Sequence, residues 1–540
     1  MIAAGHVRRP VVLVVVHAPL RFFRSLITRR ALVAVVLVIA AALVAAGCAP
    51  QDSRLLLRLP DDLPKSIQYL PGDSMGWLLF DTDTESTRWD ALATATGGHP
   101  GRDLLTAWGH QLLGPDADAS TEVRPWIGSQ AGVTLVTSDI SSDDALLGFA
   151  EVRKRGALEA ALRRAHFTRH PDADLGDGIA DDLMLWTPPH ASHLPAVGVA
   201  DDALVLAPTS AALRDLLART HEYRAVVRPA MVRNTRNAMQ HVPVSFIYRG
   251  DDVRDQLLRL VRADPSALEL GRWMMSTSVV SASRDGWIGL APPVDRSRHA
   301  LRVVGRFDWV KGQSVIGEPK PVKRQMLDGA PAATTLGVAM TDPGALATDI
   351  VGSATHNGSQ FATKQDVPKA DPQVQLFRLL DQLDGAASIT REPGDNFRVR
   401  VSVRSVPKAL RQAQAALDLV GQPDRWLVTV EQVGTTTVEL WVRPAPVAGR
   451  RPASLPLAPA AHTLATSTRY VAAFRAVGTP PRRPIAWVYA SKSCDATQGI
   501  AGWLTWDRDK YMTYAVDVPL GAGGLAACAD AAPVHLPGLR

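Results

Sequence analysis

Only three cysteines occur among the 540 residues, and none of them stands in a C-x-x-C pair. That scarcity excludes a zinc ribbon or a thioredoxin-type redox centre, both of which need closely spaced thiolates. No H-E-x-x-H is present, and no glycine loop of the Walker or dinucleotide type lies between a strand and a helix. The groups that would hold a catalytic zinc or cradle a nucleotide phosphate are therefore missing, and no cofactor is expected. Net charge is also lacking over most of the chain. There are 59 Lys plus Arg against 53 Asp plus Glu, but six of the basic residues (Arg8, Arg9, Arg21, Arg24, Arg29 and Arg30) fall in the first 47 positions, which hold no acid. The rest of the chain is balanced, so the basic excess belongs to the amino-terminal segment and implies no nucleic-acid-binding surface.

That segment carries the strongest signal. An uncharged apolar run from Ala31 to Ala46 follows Arg29 and Arg30 and closes on Leu43-Val44-Ala45-Ala46-Gly47-Cys48. A charged start, an apolar middle and a small-residue end are the parts of an export signal. The ending resembles a bacterial lipoprotein signal, in which a thiol directly after small residues accepts a diacylglyceryl group and an intramembrane peptidase cleaves before it. The resemblance implies that 1–47 is a signal peptide, that Cys48 is lipidated, and that 48–60 tethers an extracytoplasmic body to a bacterial membrane. Ala45 stands where such signals more often have Leu. Residues Ala31 to Pro50 are also just long enough for one uncleaved transmembrane helix, since about 18 uncharged apolar residues make a candidate. Both readings anchor the chain to a membrane. Cys494 and Cys528 form an even pair that fits a disulfide in an oxidising compartment; two buried free thiols are the alternative.

The body exceeds what one hydrophobic core usually serves. Along it, a short apolar strand, a polar turn and an Ala/Leu-rich helix recur. The clearest instance is Ala145 to Val152 followed by Ala157 to Leu162. Another runs through Leu204-Val205-Leu206, a start signal at Thr209-Ser210, and a helix with Leu213, Leu216 and Leu217. Further strands are expected at Trp77–Phe80, Phe246–Tyr248, Leu336–Met340 and Phe397–Val401, the last alternating strictly as if one face were wet. Hairpins are expected between Ile389 and Val403, between Pro195 and Leu206, and between Leu427 and Val442. The expected fold is α+β: two related lobes of antiparallel sheet with helices on one face. The boundaries fall at 61–230 for the first lobe, 231–330 for a connecting α/β region, 331–443 for the second lobe, 444–460 for a Pro-rich linker and 461–540 for a carboxy-terminal extension.

Val123-Arg124-Pro125-Trp126-Ile127-Gly128, leading into Val133-Thr134-Leu135-Val136, resembles a signature of the bacterial envelope proteins grouped as DUF3352. Leu147 to Val152, Ala157 to Leu162, Val197 to Ala207 and the opening Leu70-Pro71-Gly72-Asp73-Ser74 continue the likeness. It covers roughly residues 60 to 220 well and 330 to 430 weakly. The resemblance implies an exported or anchored α+β protein and supplies no catalytic residue. Physically, Trp126 reads as an aromatic core anchor and Gly128 as a turn into the next strand.

Other motifs need context. Gly72-Asp73-Ser74-Met75-Gly76 satisfies G-x-S-x-G, but a nucleophile elbow needs a strand before the serine and a helix after it, and here the strand follows. Asp172, Asp174, Asp177, Asp181 and Asp182 could offer calcium ligands, yet counting from Asp172 puts Asp177 at position six and Leu183 at twelve, where a calcium loop needs Gly and Glu. His166/His170 and His190/His193 have spacings that can share a helix face, although Pro188-Pro189 places the second pair in a loop. Trp273, Trp287 and Trp309 could line a groove or simply fill a core. The expectation is a non-enzymatic envelope lipoprotein that binds or scaffolds another envelope component. The alternatives are a carrier or sensor of an apolar ligand between the lobes and, less favoured by context, a serine hydrolase through Ser74.

Overall fold

The computed structural model describes residues 63–71, 74–136, 146–171, 183–190, 192–222, 229–250, 283–309, 320–342, 382–393, 396–420, 426–444, 462–493, 495, 497–507 and 511–521. The amino-terminal half contains β1 (Ser74–Asp81), α1 (Thr87–Thr96), α2 (Pro100–Leu113), β2 (Ile127–Val136), β3 (Leu146–Val152), α3 (Arg155–Arg164), β4 (Thr168–His170) and β5 (Met184–Thr187). It continues with β6 (Ala196–Val199), β7 (Ala203–Ala207), α4 (Ser210–Glu222), α5 (Pro229–His241), β8 (Val244–Tyr248), β9 (Ser283–Ala291) and β10 (Ala300–Trp309). The carboxy-terminal half contains α6 (Gln325–Asp328), β11 (Leu336–Thr341), β12 (Leu383–Glu392), β13 (Asn396–Val403), α7 (Val406–Val420), β14 (Trp426–Gln432) and β15 (Thr437–Pro444). It ends with α8 (Thr468–Val477), β16 (Pro484–Ala490), β17 (Ile500–Asp507) and β18 (Tyr511–Pro519).

Among the described residues every strand pairing is antiparallel, and the pairings chain into one sheet in the order β4-β5-β6-β7-β3-β2-β1-β8-β9-β10-β18-β17-β16-β11-β12-β13-β15-β14. The chain is thus a mixed structure of helices and antiparallel sheet. The three expected hairpins are present as β6–β7, β12–β13 and β14–β15. Thr209 Oγ1 accepts from Ala212 N at 3.0 Å at the start of α4, as a capping side chain does.

Helices flank both faces of the sheet, which corrects the expectation of helices on one face. In β1, Trp77 and Leu79 join a core with Leu213, Leu216 and Leu217 of α4 and Met231 and Ala238 of α5. Phe80, pointing the other way, joins Trp89 of α1, Leu104, Leu105, Trp108 and Leu112 of α2, and Leu158 and Leu162 of α3. Successive strand residues face opposite sides, so a strand apolar at every position has to be covered twice. Trp77, Leu79 and Phe80 make β1 such a strand. In the other half, α8 packs Tyr470 and Phe474 against Trp487, Tyr489 and Ala501. On the opposite face, α7 packs Val406 and Ala409 against Ala387, Val401 and Val438.

The two halves meet along β10 and β18, which pair continuously from Ala300↔Pro519 to Asp308↔Tyr511. Arg302 and Asp517 sit opposite each other in that ladder and are ion-paired at 3.0 Å, with side chains 12% and 2% exposed. Arg302 also donates to Val477 O at the end of α8, at 3.0 Å. Among the described residues only one Asp517 oxygen is used, and Oδ2 has no donor. Burial pushes the Asp517 carboxyl up to about 6 from 3.8, against the opposing pull of Arg302 and Arg298. Between these values the folded chain holds a proton that the unfolded chain has released. The stabilisation is therefore complete below pH about 4 and lost as pH rises through about 6, a change of roughly 3 kcal/mol at 1.36 kcal/mol per pH unit. Urea unfolding of wild type and Asp517→Asn at pH 4.5 and pH 7.5 checks this. The wild-type chain should lose more stability on raising pH than the variant does, and equal slopes would remove Asp517 from the account.

Candidate functional site

The alternating segment Phe397 to Val401 becomes β13, and its charged face is not wet. Arg398 is 6% exposed and Glu439, on β15, is 1% exposed. Registers bring them together: Arg400 lies across from Glu439 and Arg398 across from Trp441, while Thr390 of β12 lies across from Arg398 on the other side. Arg398 Nε donates to Glu392 Oε1 at 2.8 Å and its Nη1 to Glu439 Oε1 at 3.0 Å. Arg400 Nε donates to the second Glu439 oxygen. Gly329, at the end of α6, leaves room for the Arg400 guanidinium, which any β-carbon there would strike. Buried Ser388 and Thr390 extend the same polar layer.

Every oxygen of Glu439 thus meets a guanidinium, which is the condition for keeping such a carboxylate out of water. The arrangement fixes register across β12, β13 and β15 and leaves cationic character around Trp441. The Arg398 and Arg443 Cζ atoms lie 5.1 and 4.6 Å from that ring's centroid.

At the junction of the halves, Tyr248 and Tyr514 lie over Gly286 and Gly305, respectively, where a β-carbon would meet their rings. Both tyrosines are buried among Ile288, Val303, Phe307 and Met512, and neither hydroxyl finds a partner among the described residues. Burial pushes both phenols well above their ordinary value.

The sequence-predicted residues fall elsewhere. Ser74 is fully buried at the start of β1, and its Oγ donates to Pro71 O at 2.7 Å. Its proton is committed to the turn and the hydroxyl faces no cleft, so the elbow geometry is not formed. His166 and His170 do not share a helix face. His166 follows the end of α3 at φ 61°, where its N–H donates to Arg163 O; His170 is on β4, with Nε2 2.8 Å from Thr187 Oγ1. His190 and His193 lie outside helices and strands. Among the described residues no group of three or more His, Cys, Asp or Glu side chains could hold a metal ion. Trp287 is buried under α5, 6.2 Å from His241 between ring centroids. Cys48, Cys494, Cys528, Trp273, the Trp309 side chain and the acidic run Asp172, Asp174, Asp177, Asp181 and Asp182 lie outside the described residues.

Trp126 is the core anchor its sequence suggests. It is fully buried, its Nε1 donates to Glu122 O at 2.6 Å, and its ring lies 6.1 Å from Trp108. Gly128 does not turn the chain. It stands within β2, and a β-carbon there would come within 2.5 Å of Glu151 Cγ, whose carboxylate accepts from Ser129 N and Oγ at 2.7 and 2.6 Å.

Sequence reasoning missed Glu392, Arg398, Arg400 and Glu439. The available signal was charge of opposite sign on three neighbouring strands, with Arg on β13 and Glu on β12 and β15. No family model, curated protein or solved structure matches this chain.

Proposed function

We propose that this chain is a bacterial envelope lipoprotein, tethered through Cys48, whose sheet-and-helix body binds or scaffolds another envelope component without catalysing a reaction. The observation that carries the reading is Cys48 itself, placed directly after Ala45-Ala46-Gly47 at the end of an uncharged apolar run. Residues 49–60, as a tether, would let the body stand up to about 40 Å from the lipid at full extension. The likeness of residues 60 to 220 to the DUF3352 envelope proteins points the same way.

Two related lobes are part of the proposal. Read outward from the β10–β18 pair, both halves have the same order of pairings. β1 lies between β2 and β8, as β11 lies between β12 and β16. β3 continues to β7 and β6 as β13 continues to β15 and β14. The order of connections supports two copies of one unit joined edge to edge, a rigid platform suited to holding a partner. Among the described residues no helix is long and apolar enough to cross a membrane.

Intact mass spectrometry of membrane-extracted protein, alongside Cys48→Ala, tests the anchor. A mature chain beginning at Cys48 with added diacylglyceryl mass is expected, with no such mass on the variant. A wild-type chain retaining residues 1–47 would mean an uncleaved helix and would sink the lipoprotein reading. Chemical crosslinking in intact cells tests the scaffold: a discrete heteromeric adduct is expected, and recovery of the uncrosslinked chain alone would remove that role.

A further inference from the structure

Three hydrogen-bond donors on the β14–β15 hairpin face the same side and find no acceptor among the described residues: Thr429 Oγ1, Trp441 Nε1 and Arg443 Nε. Their backbones place them together. Thr429 and Trp441 are directly opposite across the two strands, and such pairs have β-carbons about 4.5–5.5 Å apart. Arg443 is the next residue of β15 on that side, with its Cζ 4.6 Å from the centre of the Trp441 ring.

The chemistry of the donors narrows what could satisfy them. An indole N–H and a guanidinium N–H can only donate, so another donor would not serve. Buried donors left unpaired cost free energy. Of the neighbouring acids, Glu392 and Glu439 hold Arg398 and Arg400, while Glu431, exposed and opposite Glu439, is the next residue beyond Thr429 on that side. Two guanidinium groups lie over the Trp441 ring; Arg398 is neutralised by Glu392 and Glu439, and Arg443 is the cation left to attract an anion.

We propose that Thr429, Trp441 and Arg443 form a binding site for a phosphate-type oxyanion. Three donors carried on one side of two paired strands match the three terminal oxygens of a phosphate monoester or three of the four in inorganic phosphate, whereas a carboxylate offers two oxygens. The Arg443 guanidinium supplies the charge-assisted bond, and Trp441 and Thr429 supply neutral bonds that fix orientation. Free phosphate and the phosphate of a lipid headgroup share this chemistry. The site is independent of the Cys48 anchor.

The detergent-solubilised full chain is titrated calorimetrically with inorganic phosphate and, separately, with soluble dihexanoyl phosphatidic acid, whose headgroup is a phosphate monoester. Binding of inorganic phosphate marks a free oxyanion as sufficient; binding of the lipid alone marks a headgroup. Trp441→Phe and Thr429→Val each remove one donor while keeping most of the side-chain volume. Each is expected to weaken binding about fivefold to tenfold, roughly 1 to 1.4 kcal/mol by the affinity scale, with an unchanged melting temperature in ligand-free buffer. Arg443→Gln should weaken it further and reduce its dependence on salt. Absence of binding by both probes at millimolar concentration, or equal affinity in wild type and the two neutral-donor variants, would overturn the assignment.

Discussion

Glu439→Ala is expected to lower the free energy of unfolding by about 3–5 kcal/mol, the range for removing one partner of a buried ion pair. Glu439 is 1% exposed and is the shared acceptor of Arg398 and Arg400. Its loss would leave Arg398 with Glu392 alone and Arg400 without its carboxylate. Burying a guanidinium without an acceptor is what makes the substitution costly, more than the volume removed. Replacing Arg400 and Glu439 together, as Arg400→Met with Glu439→Leu, should recover much of the lost stability, because Arg398 keeps Glu392 and the apolar pair needs no acceptor. Urea unfolding midpoints of the three chains decide the matter. If the single variant unfolds with wild-type stability, the layer contributes nothing to the fold.

Gly305→Ala is expected to cost about 2–3 kcal/mol through overpacking at the joint between the halves. The added carbon would enter the Tyr514 ring and approach Trp287 O at 2.5 Å, with a backbone atom on one side that cannot swing away. Tyr514→Ala, costly by itself, should cost less in the Gly305→Ala chain than in the wild type, since it frees the space above the strand. The Trp287 carbonyl would keep the relief incomplete. Thermal melts of the single and double variants give the coupling directly, and simple additivity would show that Tyr514 and position 305 do not compete for space.

Much of the local structure was legible in the sequence. The apolar runs at Trp77–Phe80, Leu146–Val152 and Leu204–Leu206 lie in β1, β3 and β7, and the Thr209-Ser210 signal opens α4. Trp126 was readable as a core anchor because a large aromatic side chain needs an interior and a partner for its N–H. The polar layer was misread for an equally physical reason. Alternation along Phe397 to Val401 states that two faces differ, and it does not state which face meets water. Arg398 is buried because Glu439, 41 residues away, lies within reach once β13 and β15 are in register. The reading of Gly128 failed similarly, since its neighbour Glu151 belongs to another strand.

The sequence by itself determined the apolar amino-terminal run that ends at Cys48, the balanced charge of the rest of the chain, many of the strands with their local hairpins, and the helices that follow them. These depend on side chains within a few residues of one another, where period, turn chemistry and capping act. Only the tertiary structure decided that β10 and β18 join the halves, that helices cover both faces, and that Arg398, Arg400, Glu392 and Glu439 form one buried layer. Those features depend on register between strands up to about two hundred residues apart. Register is set by the collective packing of both sheet faces, and a shift of one residue would turn every side chain to the opposite side.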